Sequence, residues 1–202
     1  MGITPQEFKR MEERVRGVGR APAPVNEAPR RAGLRVQEVI LGLDPSLRGT
    51  GYGVIRLART GAQTLAQGTI ACPAHWERSR CLVKIVDGLR EVLRQHRPGV
   101  CVVEGLFYAQ NLQTALIMGE ARGAALATVA QTGLEIYELA PRKVKQAIVG
   151  YGAAEKLAVA KMVQRMLRLA APPAPDAADA LALALTYAQE RSGYTLSPPK
   201  RI

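Results

Sequence analysis

Aromatic side chains are scarce: only 4% of the 202 residues are Phe, Trp or Tyr. A core must therefore be built from Ala, Leu, Val and Ile. Histidine and cysteine are scarcer still. His75 and His96, with Cys72, Cys81 and Cys101, show no C-x-x-C spacing and no pairing of His with such a pattern, which argues against a structural zinc site. Cys101 lies inside an apolar run and reads as a buried free thiol. No run approaches the about 18 consecutive apolar residues that a spanning helix needs, which excludes an integral helical membrane protein. The first residues hold no apolar signal core, and Glu7, Glu12 and Glu13 speak against an organelle transit peptide. A reducing, cytoplasmic setting is the expectation.

Acidic residues are in short supply too. Against 28 Lys and Arg stand 17 Asp and Glu, a net charge of +11 and a pI near 10.1. Residues 1–38 carry 8 basic and 5 acidic side chains, or +3, so the other +8 belongs to the rest of the chain. The basic character is thus no tail artefact, and it points to a polyanionic partner, nucleic acid ahead of a membrane surface. At 48% hydrophobic and 22% charged, the composition is that of a globular protein of one domain, with or without an appendage.

Residues 1–38 pair a charged segment with a Pro/Ala-rich spacer, APAPVNEAP at 21–29, and read as a helix plus flexible linker. From Val39 the texture changes. The apolar run 39–43 reads as a buried strand ending at Asp44-Pro45. Residues 52–57 and 63–71 follow with short Gly-containing turns, which predicts an antiparallel meander. An amphipathic helix is predicted over 76–96, stopped by Pro98-Gly99. A second apolar strand, 100–103, ends on Glu104. An Ala/Gly-rich helix over 112–131, a strand over 135–139 and helices over 141–150, 154–169 and 176–191 complete the pattern, with a disordered tail expected over 193–202. Three antiparallel strands followed by two parallel ones reached through helices make a mixed five-stranded sheet flanked by helices, an α/β ribonuclease-H-like fold spanning residues 39–192.

Four carboxylates occupy telling places. Asp44 and Glu104 each terminate an apolar strand, and if those strands are parallel neighbours both acids emerge at one carboxyl edge of the sheet. Asp176 and Asp179, spaced i and i+3, share one face of a helix otherwise made of Ala and Leu from 177 to 185. Taken singly, Asp44 before Pro45 could be a turn former, Glu104 a solvated strand end and Asp176 an N-cap. Asp179 has no cation three or four residues on, where Ala182 and Leu183 stand. Clustered carboxylates repel unless a cation joins them, and oxygen-only ligands select Mg²⁺ or Mn²⁺ over zinc. Two such ions about 4 Å apart suit in-line phosphodiester cleavage.

The strings ILGLDPSLRGTGYGV (40–54), EGLFYAQN (104–111), ARG (121–123), VKQ (144–146), VGYGAAEK (149–156) and DAADAL (176–181) resemble, in order, the RuvC family of bacterial Holliday-junction resolvases, over residues 39–191. The resemblance implies a homodimeric, Mg²⁺-dependent endonuclease that nicks two opposed strands of a four-way DNA junction symmetrically in recombination and repair, with a branch-migration motor complex as a further partner. By position, Asp44, Glu104, Asp176 and Asp179 match the family's catalytic, metal-binding acids, held to two ions per site. The Asp176 position is a His in some members. Phe107 matches the aromatic inserted against bases at the junction centre, and Lys145 and Lys156 match contacts to the DNA backbone. Arg142 and Lys143 are, on charge alone, either a solvated face or phosphate contacts; Arg48 and Arg122 complete the expected DNA-binding set. Two departures stand out. Residues 1–38 have no family counterpart, and Gln110 stands where members commonly carry Lys.

Three other readings compete. A nuclease of the same fold acting on other branched DNA or RNA would use the same chemistry. A non-catalytic junction-binding module would use the basic surface alone, though a pure binder has no reason to set four anions facing DNA. An ATPase or sugar kinase of the actin-like fold also opens on a strand-Asp-Gly-Thr turn, but needs two such domains where about 160 residues supply one.

Overall fold

The apolar run at 39–43 forms the first strand because aliphatic residues suit a position covered on both faces. In the computed structural model, which describes residues 38–105, 111–193 and 198–202, this is β1 (Glu38–Asp44), with Ile40, Leu41 and Leu43 fully buried. The expected N-terminal helix and linker, apart from Glu38, lie outside the described residues, as do Phe107 and Gln110. β2 (Gly49–Ala58) and β3 (Gly61–Ala71) pair antiparallel as a meander. Gly61 turns the chain between them at φ +119°, in the region that favours glycine.

Helix α1 (Arg78–His96) then leads to β4 (Val100–Glu104), α2 (Leu112–Ala130) to β5 (Glu135–Leu139), and α3 (Pro141–Val149), α4 (Lys156–Leu167) and α5 (Pro175–Ser192) follow. The strand order is β3-β2-β1-β4-β5-β6, with β4 parallel to both β1 and β5. This is the expected mixed topology, with one more strand than the predicted five. β6 (Lys200–Arg201) lies in the tail expected to be disordered, and pairs antiparallel with Tyr137 and Glu138. Its two residues are too few to show a period. They find β5 through charge as well as ladder bonds, since Arg201 pairs with Glu135 at 2.9 Å.

Strand alternation sorts the core onto two faces of the sheet. Ile40, Ile55, Val100 and Val102 face α3, α4 and α5, whereas Leu41, Leu43, Val54, Cys101 and Val103 face α1 and α2. Aliphatic residues fill both layers, as the shortage of aromatics requires; Tyr187 is the large exception, buried against Tyr137 with ring centroids 5.1 Å apart. All three cysteines are buried and free, and burial pushes the Cys101 thiol far up. Among the described residues, no helix is long and apolar enough to cross a membrane.

Candidate active site

Asp44 closes β1 and Glu104 closes β4. The two strands are parallel and in register, Leu43 opposite Val103, so both acids leave the sheet at the same carboxyl edge. The turn after Asp44 is braced by Thr50, fully buried, whose Oγ1 donates to the Ser46 carbonyl at 2.7 Å and accepts from the Ser46 N–H at 3.3 Å. The Asp44 and Glu104 carboxyls are hydrogen-bonded to each other, Glu104 donating. Burial, and then the negative charge of Asp179, push Asp44 up to about 6. Burial, and then Asp44 itself, push Glu104 up to about 7. Two half-buried carboxyls on neighbouring strands cannot both ionise freely without a cation.

The other two acids arrive on α5. Pro175 occupies the first helical turn and Ala174 the N-cap, so Asp176 is not the cap that its position allows, although its charge suits the helix N-terminus. What lets α5 come so close is a floor of glycine. Gly49, Gly51 and Gly53 alternate along β2 and so share one face, and Gly42 on β1 pairs with Gly53. A Cβ on Gly51 would stand 2.1 Å from the Asp176 carbonyl oxygen, one on Gly42 1.9 Å from that of Ala180, and one on Gly49 2.8 Å from Asp176 Oδ2. The i, i+2 glycine spacing in the sequence is the signal of this close backbone approach, beyond the turn that Gly49-Thr50-Gly51 predicts.

These elements enclose a cleft of about 510 Å³ lined by Asp44 and Glu104 from the sheet edge, Asp179 from α5, and Arg142, Lys145 and Lys156. Asp176 lies outside that lining, over Gly49, yet its charge still helps to raise Asp44. Lys156 Nζ sits 3.2 Å from Asp179 Oδ2, whose charge raises the ammonium pKa, and Lys156 in turn opposes the rise of Asp44 and Glu104.

Besides Lys156, three residues of the expected DNA-binding set have other partners. Lys143 turns back from α3 to α5 and pairs with Glu190 at 2.5 Å. Arg48 Nη1 donates to the carbonyls of Pro73 and Trp76, at 2.6 and 3.0 Å, and to Cys81 Sγ, stapling the β1–β2 turn to the segment ahead of α1. Arg122 is a correction: it is buried, with its guanidinium on the Glu104 carbonyl and the Glu138 carboxylate, and is not a surface contact. Its motif position is intact, but α2 faces the sheet there. Glu138, which meets Arg122, escaped notice because an acid in EIYEL looks like ordinary strand alternation.

The donor set fits a hard divalent cation: carboxylate oxygens only, two of them driven to hold protons by burial and then by neighbouring negative charge. Among the described residues, no three His, Cys, Asp or Glu side chains are drawn together as a finished ligand set. The acids are instead satisfied in pairs, Asp44 by Glu104 and Asp179 by Lys156.

A family-wide sequence profile described as "Crossover junction endodeoxyribonuclease RuvC" matches residues 40–187. The crossover junction endodeoxyribonuclease RuvC of Halorhodospira halophila is 46% identical over 153 residues, covering 76% of this chain and 91% of that protein. The enzyme of the same description from Rubrobacter xylanophilus is 40% identical over 157 residues, covering 77% and 88%. Among solved structures, T. thermophilus RuvC in complex with Holliday junction substrate superposes with a TM-score of 0.73 at 33% identity, over 82% of this chain and 99% of that one. The yeast mitochondrial Holliday junction resolvase shares the fold, at TM-score 0.56 and 11% identity, over 76% of this chain and 78% of that one.

Proposed function

The chain belongs to the RuvC family of crossover junction endodeoxyribonucleases, and from that premise we propose that it resolves Holliday junctions by hydrolysing phosphodiester bonds in two opposed strands of the four-way junction. The observation that carries this is the meeting of Asp44 and Glu104 at one sheet edge, with Asp179 in the same cleft. Asp44, Glu104, Asp176 and Asp179 would hold the divalent cations, two Mg²⁺ per site with Mn²⁺ able to substitute, and these would supply Lewis acidity for activating a water and steadying the leaving oxygen.

The protein's own groups do the rest. Arg142 and Lys145 line the same cleft as the acids and accept the phosphate backbone. Lys156 pairs with Asp179, and a bound metal and a phosphate would compete for the two partners. Glycines in β2 hold α5 down, so that its two acids approach Asp44 without any side chain between.

A four-way junction has two-fold symmetry, so a closed homodimer presents one acid cluster to each of two opposed strands. Exposed Leu112 and Leu116, in line with Gly119 and Gly123, offer α2 as the dimer face. A branch-migration motor is the expected companion, and the cytoplasm the compartment.

The test is a labelled synthetic four-way junction with Mg²⁺, wild type against Asp44→Asn. Paired symmetrical nicks by the wild type and none by the variant are expected. Equal cutting of linear duplex or RNA would replace this reading with a broader nuclease, and tight binding without cleavage in Mg²⁺ or Mn²⁺ with a binding module.

A further inference from the structure

Among the described residues, Arg122 is the one charged side chain that is buried, with 7% of its surface exposed. From α2 its guanidinium donates through Nη1 to the main-chain carbonyl of Glu104 and through Nη2 to Glu138 Oε2, the latter at 2.5 Å. Both contacts fall at one level of the sheet, because Val103 pairs with Glu138 and Glu104 with Leu139. The Gly105 N–H donates to the Leu139 carbonyl at 2.8 Å, so the ladder runs one residue past Glu104. The Glu138 side chain covers Gly105, where a Cβ would stand 3.3 Å from Glu138 Cγ. The peptide that follows Glu104 is therefore gripped on its oxygen by Arg122 and on its nitrogen by β5.

Stability alone does not call for this arrangement. Burying a guanidinium beside a carboxylate that keeps 27% of its side chain exposed costs about as much as their attraction returns, and apolar residues of like volume commonly do as well. An apolar pair would fill the space, but could not hold a carbonyl. The planar fork of Arg bonds two points on two strands at once.

We propose that Arg122 is a positioning residue for the hydrolysis. By fixing the Glu104–Gly105 peptide it sets the ψ of Glu104 and hence the direction in which that carboxylate leaves the strand, while Glu138 holds the guanidinium in place. This rests on the reading of Glu104 as a metal-holding acid.

The experiment uses the full chain and the variants Glu104→Gln, Arg122→Lys, Arg122→Met and Arg122→Met/Glu138→Leu. The double variant leaves no buried charge unpaired, and carries the test if Arg122→Met fails to fold. Three quantities are read: Mn²⁺ affinity of the protein alone by electron paramagnetic resonance, four-way junction affinity in EDTA, and single-turnover cleavage against Mg²⁺ concentration. For both Met variants, Mn²⁺ affinity and cleavage rate fall about 10- to 100-fold, the range typical of residues that orient metal ligands, while junction affinity stays at the wild-type value. Arg122→Lys recovers part of both, since an ammonium reaches the carbonyl or the carboxylate but not the two together. A folded double variant with wild-type Mn²⁺ affinity and Mg²⁺ midpoint overturns the proposal. So does a loss that follows only the unfolded fraction as temperature is raised. Glu104→Gln cleaving at the wild-type rate would overturn instead the reading of Glu104 itself, whatever the Arg122 variants do.

Discussion

Lys156 Nζ lies 3.2 Å from Asp179 Oδ2, on the rim of the cleft that Asp44 and Glu104 enter from the sheet. Its charge opposes the upward shift of both half-buried acids. Removing it in Lys156→Ala lets Asp44 and Glu104 climb further, and metal binds them only when they are ionised. The acid limb of the cleavage pH profile therefore moves to higher pH in the variant. Single-turnover rates in saturating Mg²⁺ from pH 5 to 9 measure it; an unmoved limb would mean that Lys156 does not act on the acids.

The same pair governs stability without metal. Asp44 and Glu104 hold a proton more tightly folded than unfolded, with values of about 6 and 7 against ordinary ones of 3.8 and 4.5. Their contribution is thus fully present below about pH 4 and is lost as pH rises through 6 to 7. Metal-free protein should lose thermal stability from these groups between about pH 4 and 7. Glu104→Gln, which cannot ionise, should melt higher than wild type at pH 8 in EDTA, and Mg²⁺ should raise the wild-type midpoint there. Melting curves with a wild-type advantage at pH 8 in EDTA would contradict the crowding.

The sheet order and the sheet-edge acids were legible because both rest on long-period signals: apolar runs bounded by Pro or Gly, and acids set where the runs stop. Arg122 was not legible, because the motif marks the residue and not the direction of its side chain. Whether an Arg on an Ala/Gly helix faces water or the sheet depends on how α2 is rotated, and no neighbour in sequence records that. Lys143 and Lys145 are two apart on α3, so they necessarily point different ways, yet charge counting treats them alike. β6 was missed for want of length, and Glu138 because its partner lies 16 residues away on another element.

The glycine floor makes a steric prediction. A methyl group at Gly51 would overlap the Asp176 carbonyl oxygen, 2.1 Å away, and the obstacle is helix backbone that cannot rotate aside. Gly51→Ala should cost about 1–3 kcal/mol of stability, the usual range for overpacking. It should also lower Mg²⁺-dependent cleavage, because α5 is displaced with both its acids. Chemical denaturation and the Mg²⁺ midpoint report the two effects. Gly61→Ala is the contrast: its Cβ meets nothing, so only backbone strain at φ +119° is felt and the Mg²⁺ midpoint stays put.

Two lysines two residues apart should behave differently towards DNA. Lys145 lines the cleft, so Lys145→Ala weakens junction binding and reduces the salt slope by about one counterion. Lys143 is engaged with Glu190, whose side chain is 11% exposed. Lys143→Ala should leave the salt slope intact and destabilise the fold by about 1–3 kcal/mol through a carboxylate left without its ion pair. Junction titrations from 50 to 300 mM salt, with thermal melts alongside, separate the two outcomes; equal salt slopes for the two variants would contradict the assignment.

The dimer face can be tested without any cleavage. On α2, Leu112, Leu116, Gly119 and Gly123 stand at i, i+4, i+7 and i+11, one stripe of the helix. Leu112 is 76% exposed and Leu116 60%, and the space around Gly119 and Gly123 is open. Met118, on the same helix, lines the cleft of Asp44, Glu104 and Asp179, so a partner docked on the stripe would sit beside each of these clefts. An arginine at position 116 would bring two like charges together across a two-fold axis, whereas in the free protein it would only be solvated. Leu116→Arg should therefore melt within a few degrees of wild type yet sediment as a monomer at concentrations where the wild type is a dimer. Single nicks should then replace paired ones on a four-way junction, because each acid cluster acts alone. A Leu116→Arg chain that still sediments as a dimer would move the interface off this face of α2.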